Sequence, residues 1–600
     1  MTASTASSPA PSTRDRDTDG TDRRQGAGAV QPATGTLSVS LTCELFLGRM
    51  RWDLLARFPE QDPEDRATGD LAVAEFSRLL REHVDPEAVE RSRRLPEEAV
   101  KALRDGRYHR LMVDRERGGL GLSPYNAFRL ISTAATWSTA VSLIMTADNG
   151  FGASGYLPLL AEGPLRDLLD VHARTGGLSG SADTEPDGAA NMTRRTIAVE
   201  TDGGTHYLLT GEKVFIGNAP VADLLEVTAQ VTIDGVEQPR SFFVDMRAPG
   251  VEVLPQQDFM GMRGAPIGAL RFTGVRVPRE HMLDGSDFER PDREVQQVGY
   301  LGRTFSVAAP SLGIARLALS HAREFVSRRT VGGRPLASYD EIQRRLADSL
   351  AQTYAIDSLT RWTLLGTGAD TLHEHPVLKN VASLACWDIV DRTLGLLGAE
   401  GFETAESKAR RGAQPLSAER SFRDARGLRI SGGVDFLIDY LSARARLTQC
   451  HYDRSYSAHP VPVTPDGTSG APGNGDEMLQ DHVRFVTETA EWFGRVCREL
   501  SERHPDRESL FGRQRVLVDL SQAANELITL AVVLARSSRP APEGGEEARR
   551  LAALHGWSVR RRIAALRAGL EEESATGHGA VSAQWMDAGA YPKLLADIVL

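Results

Sequence analysis

The feature that most constrains this chain is a β-type block, 181–278, set between two long stretches of helical pattern. Short apolar or β-branched runs follow one another in it: Thr196–Val199, Tyr207–Leu209, Glu226–Val231, Ser241–Val244, Val251–Val253 and Leu270–Val277. Gly203-Gly204, Asp234-Gly235 and Pro249-Gly250 punctuate them as turns. Strands this short leave two faces to be covered, which predicts a small barrel or sandwich. The flanks carry the other period. Leu54-Leu55 and Leu79-Leu80 recur at helical spacing before the block, and Ile342, Leu346 and Leu350 after it.

Six hundred residues exceed what one hydrophobic core usually serves, so several packed domains are expected. The predicted fold class is α+β multidomain. We read a disordered tail over 1–36, an N-terminal helical domain over 37–172, and a middle β domain over 173–285. A C-terminal four-helix bundle follows over 286–450, a Pro- and Gly-rich linker over 451–476, and an additional helical domain over 477–600. The tail has almost no apolar content with which to fold and no apolar core of a secretion signal. In the last section Leu479, Val483, Val486, Ala490, Phe493, Cys497 and Leu500 alternate steps of four and three, a narrow stripe on one helix face. Two more helices are expected near 513–536 and 545–570. A small helical bundle is the plain reading; a membrane-facing or dimer-extending module is the alternative.

The charge of −11 argues against a nucleic-acid surface, and no unbroken run of about 18 apolar residues suggests a transmembrane helix. The four cysteines, Cys43, Cys386, Cys450 and Cys497, lack metal-ligand spacing and read as buried, reduced thiols of a cytoplasmic protein. His373-Glu374-His375-Pro376 reads as a solvated loop rather than a metal site. The glycine run Arg117-Gly118-Gly119-Leu120-Gly121 has no preceding strand and no lysine, so it reads as a turn, not a phosphate cradle.

Several motifs occur in a fixed order. Thr184-Glu185-Pro186 comes first, then Gly211-Glu212-Lys213-Val214-Phe215-Ile216-Gly217-Asn218, Met260-Gly261-Met262-Arg263-Gly264, and Phe272-Thr273-Gly274-Val275-Arg276-Val277-Pro278. Arg328-Arg329-Thr330-Val331-Gly332, Lys379-Asn380, Gly398-Ala399-Glu400-Gly401-Phe402 and Phe422-Arg423-Asp424-Ala425-Arg426 follow. This set resembles the acyl-CoA dehydrogenase family, and the helical C-terminal section is similar in layout to that of its long-chain members. The resemblance implies FAD as cofactor and an acyl-CoA or acyl-carrier-protein thioester as substrate. It places Thr184 and Phe215 beside the flavin, and Arg328, Gly398 and Gly401 beside a neighbouring subunit's FAD, hence a homodimer or homotetramer. Met145–Gly150 falls where that family runs a helix towards the substrate tail. The electron acceptor is left open.

Desaturating a thioester needs a carboxylate beside a weakly acidic α-carbon. Many relatives carry that base in a Tyr-Glu-Gly-Thr segment; here the segment is Ser431-Gly432-Gly433-Val434, with Gly432 at the base position. Others carry it on the first helix of the C-terminal domain, where this chain reads Leu301-Gly302-Arg303-Thr304-Phe305. Side chains that relatives offer to the flavin are replaced by Ala190, Gly217, Gly395 and Val434. No catalytic residue is assigned. Asp183, Glu400 and Asp435 are the acids that could substitute, and a glutamate restored at 432 is expected to return the missing base. Three functions remain open: a flavin-dependent acyl-thioester oxidoreductase, a flavin monooxygenase fed reduced flavin, and a catalytically silent partner subunit.

Overall fold

The computed structural model describes residues 39–191, 193–366, 369–456, 476–540, 543–571, 577–588 and 591–594; the expected tail at 1–36 and linker positions 457–475 lie outside the described residues. Ahead of the sheet come α1 (Leu41–Phe46), α2 (Pro63–His83), α3 (Glu97–Asp105), α4 (Pro124–Trp137), α5 (Thr139–Phe151) and α6 (Pro164–Thr175). Two of their starts follow from local chemistry. The Asp62 carboxylate accepts the N–H groups of Glu64 and Asp65 ahead of α2, and the Ser123 hydroxyl accepts that of Asn126 ahead of α4. In both, proline opens the first turn. The 118–121 run is a turn, with Gly118 at φ 84° and Gly121 at φ 60°.

The middle of the chain forms one curled sheet of seven strands: β1 (Ser179–Ala182), β2 (Ile197–Thr201), β3 (His206–Gly217), β4 (Leu224–Ile233), β5 (Val236–Asp245), β6 (Val251–Val253) and β7 (Ile267–Pro278). Their order is β1-β4-β2-β3-β7-β6, with β5 on β4. β1 runs parallel to β4, Ser179 opposite Leu224. Curling gives the sheet its own interior, where Tyr207, Leu209, Val227, Phe242 and Phe272 pack. The Tyr207 and Phe242 rings meet edge to face, centroids 5.2 Å apart.

Beyond the sheet come α7 (Pro291–Arg303), a π-helical turn over Thr304–Ala308, α8 (Ala309–Arg328), α9 (Asp340–Leu365), α10 (Glu374–Leu397), α11 (Ala418–Leu428) and α12 (Asp435–Leu447). The last long helices are α13 (Glu477–Arg503), α14 (Gln514–Ser537) and α15 (Glu546–Glu571). The predicted stripe of α13, Leu479 to Leu500, is buried at every position. α14 is long and apolar enough to cross a membrane, yet 78% of that stretch is buried inside the fold. It is a core helix, and one continuous apolar cluster runs from Leu41 of α1 through the bundle to Ile563 of α15. Polar contacts sharpen the fit: Asp439 of α12 accepts from Asn380 of α10 (2.7 Å) and from Asn525 (3.0 Å) and Ser521 (3.2 Å) of α14.

All four cysteines are buried and unbridged. The expected solvated loop at His373–Pro376 is instead the buried start of α10. There the His375 ring nitrogen lies 2.7 Å from the Thr304 hydroxyl, and burial pushes His375 down to about 4. The apolar neighbours on both sides of this four-residue stretch draw it inward. Glu374 is wholly buried; its Oε1 accepts the Thr42 N–H (3.0 Å) and hydroxyl (2.8 Å), joining α1 to α10. Burial outweighs those donors and pushes its carboxyl up to about 8. A raised folded-state value means the unfolded chain releases this proton near pH 4.5 while the folded chain keeps it to about pH 8, so stability falls across that interval. Glu374→Gln should therefore exceed wild type by about 2–4 kcal/mol at pH 8 and by less than about 1 kcal/mol at pH 5. Urea unfolding at the two pH values measures it; a pH-independent difference would contradict the burial argument.

Candidate functional site

Thr184-Glu185-Pro186 leaves the end of β1 and is tied to β3. The Val214 N–H donates to the Thr184 carbonyl (2.9 Å). Lys213, fully buried, donates to Glu185 Oε1 (2.9 Å) and to the Asp183 carbonyl (3.2 Å). Glu185 also accepts the N–H groups of Arg195 (2.7 Å) and Thr196 (2.9 Å). Burial alone would raise this carboxyl; the backbone donors and Lys213 outweigh it and hold it at about 2. The segment is thus fixed as an ionised, fully bonded corner. β3 departs from regular pairing between Lys213 and Ile216. Phe215, at φ 60°, turns its ring outward there, 58% exposed, touching Phe259 edge to face at 6.0 Å. Its N–H donates to Gln257 Oε1 (3.0 Å).

Arg328, Gly398 and Gly401 form a second group. Arg328 ends α8, and its Nη2 donates to Glu400 (3.2 Å) in the turn that follows α10. A Cβ added at Gly395 or at Gly398 (φ 58°) would meet nothing within 4 Å, so that surface is open. Gly401 differs: its Cβ would come 2.9 Å from the Leu394 carbonyl, so packing alone accounts for this glycine.

The third element is the loop 431–434. Gly432 (φ 65°) and Gly433 (φ 96°) both take left-handed conformations. Arg303, the last residue of α7, donates Nε to the Gly432 carbonyl (2.9 Å) and Nη1 to the Gly299 carbonyl (3.0 Å). Lys379 of α10 donates Nζ to the Gly433 carbonyl (2.7 Å). Burial lowers Lys379 to about 8, against the pull of Asp435 and Asp439. Burial also lowers Arg303, opposed by Tyr300 and Asp183, the two acidic groups whose fields reach it. No carboxylate forms an ion pair with Arg303 among the described residues.

The three candidate acids are all ion-paired. Glu400 holds Arg328, Asp435 holds Arg429 (2.6 Å), and Asp183 holds Arg194 (2.8 Å). Of the three, Asp183 directly precedes the Thr184 corner.

The sequence pattern of the acyl-CoA dehydrogenase middle domain matches residues 180–275, and that of the acyl-CoA dehydrogenase C-terminal domain matches residues 301–437. A probable acyl-CoA dehydrogenase, FadE10 of Mycobacterium tuberculosis, is 28% identical over 419 residues, 68% of this chain and 63% of that protein's length. These matches support membership of the acyl-CoA dehydrogenase family. The very long-chain specific acyl-CoA dehydrogenase of Bos taurus mitochondria is 23% identical over 552 residues, 86% of this chain and 82% of its own. The fold matches an acyl-CoA dehydrogenase complexed with FAD from Bacillus anthracis, with a TM-score of 0.72 at 19% identity, over 92% of this chain and 95% of the other.

The 301–305 stretch and Gly432 face each other here, and the contact between them is Arg303 on a carbonyl. Neither site holds a carboxylate. A Cβ on Gly432 would lie 3.3 Å from Arg303 Cγ, so a glutamate grafted there would meet the guanidinium. Arg303 and Lys379 were quoted within motifs but given no role from the sequence, although Arg303 is the only charged side chain between Glu294 and Arg316. Gly432→Glu should destabilise the fold by about 1–2 kcal/mol through its left-handed backbone, and gain no α-proton abstraction. Thermal unfolding and an exchange assay on an acyl-CoA check both halves.

Proposed function

We propose that this chain is a flavin-dependent acyl-thioester oxidoreductase, acting by α,β-dehydrogenation on an acyl-CoA or acyl-carrier-protein substrate. The observation that carries this reading is the fixed Thr184 corner beside the outward-turned Phe215 ring. An exposed aromatic beside a corner of small residues suits a planar ring: more than half of Phe215 is uncovered, and Ala190 and Gly217 add no bulk. FAD, when bound, supplies the hydride acceptor. Thr184 and Phe215 would hold its ring, with main-chain groups at Ala190, Gly217 and Val434 in place of the lost side-chain donors. Arg328 and the open surface at Gly395 and Gly398 would meet the nucleotide half of a neighbouring subunit's cofactor, which makes the working form a homodimer or homotetramer. We read 286–450 as the family's four-helix bundle and 477–600 as its C-terminal helical addition, in a cytoplasmic protein.

The residues of this chain then divide the remaining work. Asp183 adjoins the Thr184 corner and would be the acid to accept the α-proton, on release from Arg194. Arg303 and Lys379 hold the loop 431–434 by its carbonyls, and the N–H groups of Gly432, Gly433 and Val434 would then be available to a substrate carbonyl. The stripped ring contacts also favour a second reading, a monooxygenase that takes up reduced flavin from a separate reductase.

Titrating the full chain with FAD and following flavin fluorescence tests the proposal. Saturable binding of oxidised FAD is expected, and Phe215→Ala should weaken it by about 1 kcal/mol, roughly fivefold. Binding of reduced flavin alone would favour the monooxygenase, and binding of neither state would sink both.

A further inference from the structure

A cleft of about 1360 Å³ opens between α3, the end of α6 and the sheet at the head of β4. It is a different place from the candidate site: Thr184, Phe215, Arg303, Arg328 and Gly432 are all absent from its lining. Leu95, Val100, Leu168 and Val221 give it apolar walls. Most of its charge cancels in place. Lys101 holds Asp105 (2.5 Å), Arg247 holds Asp245 (3.1 Å), and Arg104 holds Asp223, which also accepts the Leu178 N–H (2.9 Å). Arg174 is held by Asp170 (2.8 Å). Two arginines of the lining, Arg94 and Arg110, form no ion pair among the described residues, against one such acid, Glu97.

Arg110 is the one buried cation of this lining, 6% exposed. Its Nη1 donates to the Ala173 carbonyl in the last turn of α6, its Nε is buried without a partner, and its Nη2 makes no hydrogen bond among the described residues. Nη2 lies beside Gly176, which has φ 78° and no side chain to cover it; a Cβ there would stand 3.9 Å away. The buried Nε2 of the neighbouring His172 is also without a partner. Burial lowers Arg110 and the field of Asp148 opposes this, but Asp148 gives its hydrogen bonds to Ser154 and Ser179. A desolvated guanidinium with donors to spare is costly unless an anion completes it. Arg446, 4% exposed and likewise without a carboxylate among the described residues, opens only on a void of about 20 Å³, room for a water. Arg110 meets space for a whole ligand.

We propose that this cleft is a second binding site, for a ligand that carries a phosphate group on an apolar body, with Arg110 taking the phosphate. A phosphate oxygen suits a guanidinium donor, and the two charges of a phosphate monoester answer the two unpaired arginines, Arg110 at depth and the exposed Arg94 at the mouth. Leu95, Val100 and Val221 then cover the apolar body. A nucleotide and a lipid phosphate share this chemistry. The site is independent of the flavin and thioester reading above.

Calorimetric titration of the full chain, with FAD in excess, tests this with two pairs of probes: ADP against adenosine for a nucleotide, and hexyl phosphate against hexanol for a lipid phosphate. In at least one pair the phosphorylated member should bind at least about tenfold more tightly than its counterpart. Arg110→Gln should bring that pair to within about threefold, and Arg94→Glu, a change at an exposed position, should weaken the phosphorylated probe by about fivefold or more. No preference for phosphate in either pair, or a preference that survives Arg110→Gln, would overturn the site. Should Arg110→Gln fail to fold, an affinity unchanged in Arg94→Glu would overturn it equally.

Discussion

Two main-chain carbonyls, Gly432 and Gly433, are each held by a cation that sits apart from any carboxylate salt bridge, Arg303 on one side and Lys379 on the other. Those two glycines take left-handed conformations and have no side chains of their own with which to pack. The two cations therefore set where this part of the cleft lies. They also set its charge.

The opposite wall is held as firmly by different means. Lys213 and Glu185 are a buried pair whose remaining capacity is filled by backbone N–H groups and a carbonyl, the condition under which a buried pair fixes geometry without stranding a charge. Asp424 of α11 joins the two walls. It accepts the Thr139 hydroxyl at the start of α5 (2.8 Å) and the Met262 N–H just before β7, so the bundle, the N-terminal helices and the sheet converge on one carboxylate. Burial raises this carboxyl, and the bonds it accepts oppose the rise.

Much of this was legible in the sequence, for identifiable reasons. The helical stripe of α13 and the apolar runs of β2 to β7 carry their periods openly. β1 was missed because Ser-Gly-Ser-Ala has no strand-forming side chain; its pairing with β4 comes from tertiary context. The pairing order of the curled sheet was not legible, because local patterns fix strands, not which edges meet. His373–Pro376 looked like a polar loop because a four-residue window does not show that α1 covers it. That 432 and 301–305 carry no carboxylate could be read directly. That Arg303 fills the space between those positions could not, since the two are 129 residues apart in the chain.

The most direct test of the account is α-proton exchange. Propionyl-CoA is incubated with the full chain and FAD in deuterated water, and deuterium at the α-carbon is followed by NMR. The account predicts exchange faster than in protein-free solution, abolished by Asp183→Asn. Exchange that persists in Asp183→Asn, or no enhancement by the wild-type chain, would contradict it.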